Sequence, residues 1–190
     1  MFYAIRNMKK ISPFILFISF LTISLSTVFA EEKYIPDLKI WIITKTEGPN
    51  NSDYLFLNVK LYDERRKLIS EFPKLVGPLE ISSANRQLFS CESNSAIGTE
   101  KALVFDLKGK LIFSFEHLGF LRNSGMTKDQ KLYWLHYNIV AENAPTNILV
   151  VLDSEGKVVL HNQFKGSRII QFKYNEHRYN LDIPKAELPG

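Results

Sequence analysis

One cysteine, Cys91, stands in 190 residues, so no intramolecular disulfide can form. The segment around it, Leu88-Phe89-Ser90-Cys91, looks like strand, and a lone cysteine there is expected to be buried and inert. Histidine is scarce: His117, His136, His161 and His177. None lies three to five residues from another, so no helix or strand presents a ready metal pair. They read as structural or surface residues, and neither a metal nor a cofactor is expected. No Gly-x-Ser-x-Gly elbow, His-Glu-x-x-His pair, glycine-rich phosphate loop or calcium loop occurs. Ser154-Glu155-Gly156-Lys157 fits a Ser-x-x-Lys pattern, but it falls within a predicted hairpin turn. No catalytic residue is named on these grounds. Helical patterning is absent too, since no window of about 12 residues shows a 3.6-residue period.

Net charge of one sign is also missing once the N-terminus is set apart. Arg6, Lys9 and Lys10 are the only charged residues before Glu31. An apolar run from Phe14 through Leu25 follows, then Val28-Phe29-Ala30. Basic, apolar and small in that order is the pattern of a secretory signal peptide. Residues 1–30 are read as that leader, with cleavage near Ala30 and delivery to the periplasm or beyond the cell. The alternative is an uncleaved membrane anchor, the one membrane contact foreseen. Pro13 and the Ser/Thr-rich end speak against it, and Glu31-Glu32 follows where a positive flank would be. The leader holds three of 24 basic residues and none of the 20 acidic ones, which leaves 21 against 20. A nucleic-acid partner needs a clustered basic face, so none is expected. The remaining 160 residues, 31–190, suit a single domain with its own core.

What fills those residues is strand. Lys39-Ile40-Trp41-Ile42-Ile43 is β-branched and aromatic, residues 46–53 form a turn, and Tyr54 through Leu61 alternates. Further strands are predicted near 101–107, 110–115, 131–138, 147–153, 157–164, 168–174 and 178–183. The polar segment 121–131 reads as a loop or single turn, and the tail from Ile183 as loosely held.

A turn recurs. Asp106-Leu107-Lys108-Gly109-Lys110-Leu111-Ile112 matches Asp153-Ser154-Glu155-Gly156-Lys157-Val158-Val159. Asp63-Glu64-Arg65-Arg66-Lys67-Leu68-Ile69 is a weaker copy, with Arg66 in place of glycine. The carboxylate can cap the turn, glycine takes positive φ, and lysine opens the returning strand. The three aspartates are 43 and 47 residues apart. Periods of about 40–50 residues with four strands per unit belong to β-propeller blades.

Lys101 to Leu181 resembles two successive propeller blades. Thr127-Lys128-Asp129-Gln130-Lys131-Leu132-Tyr133 is similar to the Ser-x-Asp-Gly-Lys-Tyr-Leu turn of many propellers, with Gln130 where glycine is usual. Tyr174 to Leu181 is a looser echo 47 residues on. The WD dipeptide is absent. Closed propellers have about 4–8 blades, and this chain has room for about three. The resemblance therefore implies an all-β fold of antiparallel hairpins in a propeller-like half-ring. A β-sandwich with propeller-like hairpins is the alternative. Uncovered blade edges invite association, and two such chains could close a ring as a homodimer.

Strand 131–138 puts Leu132, Trp134, His136 and Asn138 on one face, and Tyr133, Leu135, Tyr137 and Ile139 on the other. Both faces are aromatic or apolar, as in a central strand between two layers. Core packing explains them; the functional alternative is that Trp134 or Tyr137 anchors a partner. Arg65 and Arg66, at a hairpin tip, are the other candidate protein contacts, set against ordinary turn solvation. Small size, near-neutral charge and the lack of catalytic signatures point to an exported, non-enzymatic protein-binding module. An immunity protein or inhibitor that blocks a toxin or an envelope hydrolase fits by size and location. The alternatives are a small envelope hydrolase with acidic residues in a β-cleft, and a scaffold subunit of an envelope complex.

Overall fold

A computed structural model describes residues 30–47, 56–94, 99–141 and 144–184. The leader up to Phe29 and the tail after Pro184 lie outside the described residues. Among those residues the chain runs through thirteen strands, β1 (Ala30–Ile35), β2 (Ile40–Glu47), β3 (Phe56–Asp63), β4 (Leu68–Ser82), β5 (Gln87–Asn94), β6 (Thr99–Asp106), β7 (Leu111–Glu116), β8 (Phe120–Met126), β9 (Tyr133–Ala141), β10 (Ala144–Leu152), β11 (Val158–Phe164), β12 (Arg168–Tyr174) and β13 (His177–Ile183). The one helical element among the described residues is a 3₁₀ turn at Pro36–Leu38. Each strand pairs antiparallel with its chain neighbour, giving runs β1–β7, β8–β11 and β12–β13.

The seven-stranded run is two blades sharing a strand. β4 is 15 residues long. Its first part pairs with β3 as far as Val76, and its last part pairs with β5 from Val76 to Ser82, with a register shift between. Pro78 falls inside that shift, where a missing N–H costs no ladder bond. β4 is thus the outer strand of blade 1 (β1–β4) and the inner strand of blade 2 (β4–β7). Blade 3 is β8–β11. β12 and β13 are the first two strands of a fourth blade. The architecture is all-β, a propeller-like half-ring of three and a half blades.

Period-2 alternation supplies a core on each side of a blade. Ile40, Ile42, Val59, Leu61 and Phe72 of blade 1 meet Leu88 and Leu103 of blade 2. The opposite face of blade 2, Phe89, Cys91, Ala102 and Val104, meets Tyr133, Leu135, Tyr137, Ile148 and Val150 of blade 3. The far face of blade 3, Leu132, Leu149 and Val151, meets Ile170, Tyr179, Leu181 and Ile183. Each fully buried Leu or Ile here is worth about 1.5–3 kcal/mol. Cys91 is buried, as expected.

The recurring turns hold their predicted chemistry. Asp63, Asp106 and Asp153 each accept two backbone N–H bonds at Oδ1, from the residues two and four further on, at 2.8–3.0 Å. The fourth turn position has positive φ in all three: Arg66 at 63°, Gly109 at 93° and Gly156 at 86°. A second family of turns joins the first two strands of each blade. Lys39, Arg86, Gln130 and the pair Asn175-Glu176 carry its positive φ, and none is glycine.

One expectation is corrected. Residues 121–131 are not a loop: β8 covers Phe120–Met126, and only Thr127–Lys131 turns. The middle β8 residues Arg122, Asn123 and Ser124 are polar, which hides the strand from a hydropathy reading. Gly125 is there because Trp134 packs over it; a Cβ would stand 3.1 Å from Trp134 Cζ2.

Candidate functional site: an acidic cleft at the inner strands

A cleft of about 900 Å³ opens between the inner half of blade 1 and the inner strand of blade 2. β1 contributes Glu31, Lys33 and Ile35; β2 contributes Ile42, Thr44 and Thr46; β4 contributes Leu79, Glu80 and Ile81. Met126 and Gln130 of blade 3 close one end. The volume lies within the range of pockets for small ligands or a side chain of a partner. Three acidic residues, Glu31, Asp37 and Glu80, and one basic residue, Lys33, line it.

Glu80 is the distinctive group. Its Oε2 accepts the Met126 N–H at 3.0 Å across the blade 2–blade 3 boundary. Burial lifts its carboxyl above the ordinary carboxylate range, and that single amide bond offsets only part of the rise. Gly125 makes the approach feasible: a Cβ there would stand 3.1 Å from Glu80 Oε1. The Met126 backbone is held at both ends, because Trp134 Nε1 donates to its carbonyl at 3.3 Å.

Gln130, at the closed end, ties the turns of two blades together. Its backbone carbonyl accepts from Ser82 Oγ at 2.6 Å, and its Oε1 accepts the Ser83 N–H at 2.7 Å. Its own φ is +59°. The non-glycine residue that departs from the usual propeller turn is thereby explained: the side chain makes a bond that glycine could not. On the same face Tyr133 Oη donates to Gln87 Oε1 at 2.6 Å, and Gln87 Nε2 donates to the Ser154 carbonyl at 3.0 Å.

The four candidate contact residues fall in different places. Tyr137 is fully buried between blades 2 and 3, so it packs core, the alternative weighed for it. Trp134 is half-buried behind the cleft wall, where it positions Met126. Arg65 and Arg66 are exposed on the blade 1 turn. Arg66 lies over the Trp41 ring, 3.7 Å from its centroid, and pairs with Glu32. Tyr34 tilts against Trp41 with centroids 4.8 Å apart. This Tyr34–Trp41–Arg66 patch sits on the face of blade 1 that no other described blade covers. β1 separates it from the cleft: Glu31 and Lys33 point one way, Glu32 and Tyr34 the other. Sequence reading missed Glu80 and Gly125. An acid two residues after Pro78 carries no signature; only the inner-strand position of β4 gives it meaning.

Among the described residues, no group of three or more His, Cys, Asp or Glu side chains gathers as a metal site, and no helix is long and apolar enough to cross a membrane. No family model and no curated protein matches the sequence. Solved structures do resemble the fold. A eukaryotic initiation factor matches with TM-score 0.52 and 14% identity over 83% of this chain and 36% of its own. The Pyrococcus horikoshii acylaminoacyl peptidase matches with TM-score 0.53 and 12% identity over 75% and 26%. The β-propeller domain of the trilobed protease from Pyrococcus furiosus, which has an open velcro topology, matches with TM-score 0.50 and 13% identity over 84% and 56%. The chain therefore spans less than two thirds of each. What it shares with them is the fold: consecutive blades of a β-propeller.

Proposed function

We propose that the protein is an exported, non-enzymatic binding module whose acidic cleft takes a basic side chain of another protein and thereby blocks that protein. The observation that supports this reading is Glu80. A carboxylate that burial disfavours and one amide partly compensates gains most from an incoming cation. Lys or Arg from a partner loop would restore the charge balance among Glu31, Asp37, Glu80 and Lys33. The Tyr34–Trp41–Arg66 patch, on the other side of β1, extends the contact surface with residue types enriched in binding hot spots. A partner inhibited in this way would be a toxin or an envelope hydrolase, the chain acting as its immunity protein or inhibitor.

The test uses the chain with its leader, tagged at the C-terminus and expressed in its native host. A stoichiometric partner that is retained by the wild type, is inhibited by it and is lost with Glu80→Gln supports the reading. Unchanged retention and inhibition with Glu80→Gln and Arg66→Ala, or recovery of the chain alone, overturns it.

The same Glu80 favours one second reading. A carboxyl whose pKa burial raises, set inside a cleft, is the arrangement of a general acid, and Asp37 lines the same cleft. A hydrolase would show turnover that Glu80→Gln abolishes while binding persists.

A further inference from the structure

The outer margins of blades 2 and 3 meet at two histidines. His117 follows β7 directly, and His161 lies on β11. Their Nε2 atoms are 3.4 Å apart, at an exposed position. Two nitrogens bound to one tetrahedral ion at about 2.0–2.1 Å are themselves about 3.3–3.4 Å apart. The spacing is that of two ligands on a single centre. It is long for a hydrogen bond between rings.

We propose that His117 and His161 form a binding site for a divalent transition-metal ion of the zinc, nickel and copper group. The tautomer of His117 is already set. Its Nδ1 stands 2.7 Å from the Leu118 carbonyl, which can only accept, so Nδ1 carries the proton and Nε2 presents its lone pair. A ring nitrogen fixed through its other N–H is the usual second layer of a metal-binding histidine. The Tyr137 ring, with its centroid 5.2 Å from that of His117, walls one side and limits rotation of the imidazole. His161 supplies the second lone pair in the neutral tautomer that carries its proton on Nδ1.

Imidazole selects this group of ions over calcium and magnesium, which prefer oxygen. Two protein ligands leave the other positions to water, so the site is open and exchangeable rather than a closed structural centre. Its physical effect is a tie. The ion would join the exit of β7 to β11, fastening the outer edges of two neighbouring blades. The pair escaped sequence reading because its members are 44 residues apart. About one blade repeat brings them to neighbouring outer margins, a relation that local spacing rules do not search.

The full chain, purified without a histidine tag, would be titrated with zinc and nickel chloride by calorimetry, with amide hydrogen exchange on the loaded protein. One ion per chain is expected. His117→Gln and His161→Gln should each weaken it by roughly tenfold or more, since either leaves a single ligand. His177→Gln should bind as the wild type does. Affinity should fall in acid as protons compete for the ring nitrogens. Exchange should slow over residues 111–117 and 158–164. Both histidines are at least partly exposed, so the variants should fold, as far-ultraviolet circular dichroism would verify. Binding that either histidine variant leaves intact, or no heat and no added protection up to about millimolar ion, would overturn the proposal.

Discussion

The Asp63 and Asp153 turns have the same hydrogen bonds and the same left-handed fourth residue, yet one uses Arg66 and the other Gly156. The difference is what stands next to them. A Cβ on Gly156 would lie 2.6 Å from Phe113 Cγ of the preceding blade. Gly109 faces Ser70 of its preceding blade at a looser 3.5 Å. Blade 1 has no preceding blade among the described residues, and its turn is free to carry a side chain. Arg66 uses that freedom to lie over Trp41. At Gly156 glycine is therefore demanded by the neighbouring blade as much as by φ, and the copy without glycine is the one that no described blade precedes.

The strongest way to break that comparison is to add one methyl group. Gly156→Ala should cost about 2–4 kcal/mol, combining left-handed strain with overpacking. Phe113 has little room to yield, since its ring packs edge-on against buried Tyr133 at 6.0 Å. Gly109→Ala, with space for the methyl, should cost only the φ strain, about 1 kcal/mol. Urea denaturation of the two variants would measure the gap. Equal losses would mean that φ alone selects glycine and that the neighbouring blade is irrelevant.

Much of this was legible in the chain. The Asp-x-x-Gly-Lys period gave the blade repeat because the turn is local chemistry: a carboxylate capping two amides and a residue at positive φ. The two-faced strand 131–138 was legible for the same reason, since each side of β9 packs a different blade. Residues 121–126 were not. Arg122, Asn123, Ser124 and Gly125 show no apolar alternation, although Gly125 and the Arg122 nitrogens Nε and Nη2 are buried, and hydropathy alone cannot separate such a polar strand from a loop. The shared strand β4 was hidden by Pro73, Gly77 and Pro78, which punctuate a sequence as breakers do but here fall at irregularities of pairing. Neither the cleft nor the histidine pair had a signature, because both join residues one blade apart. Arg66 was picked out as a contact from its place at a turn tip, and it is the exposed member of the blade 1 patch.

Gly125 extends the comparison to the cleft, where the neighbour that requires glycine is the Glu80 carboxylate together with Trp134. Burial raises the Glu80 pKa in the folded state, so the native protein keeps a proton that the unfolded chain releases. Stability from this group is then complete below the ordinary carboxylate value and declines as pH rises through the folded one. Glu80→Gln keeps an acceptor for the Met126 N–H and never ionises. Its melting temperature should match the wild type in acid and exceed it increasingly as pH rises. The gain should stay below about 1 kcal/mol, because the group is only half-buried. Thermal melts across the acid range would measure the trend. A variant that is less stable at neutral pH would show that the carboxylate stabilises the inner strands, and the case for a site held at a cost to stability would fall.

The last test restores the repeat at the blade 1 turn. Arg66→Gly removes left-handed strain of about 1 kcal/mol, but glycine adds about 0.5–1 kcal/mol of backbone entropy to the unfolded chain. It also removes the stack on Trp41, worth about 0.5–1 kcal/mol at an exposed site, and a surface pair with Glu32 worth about 0–1 kcal/mol. The losses outweigh the relieved strain, so a net loss of about 0–2 kcal/mol is expected in denaturation. Binding would separate the two roles of the residue. If Arg66 is there for a partner, the glycine variant should keep its stability and lose affinity. A gain in stability above about 1 kcal/mol would mean that the stack contributes nothing to the fold and that the strain at this turn is borne for another purpose.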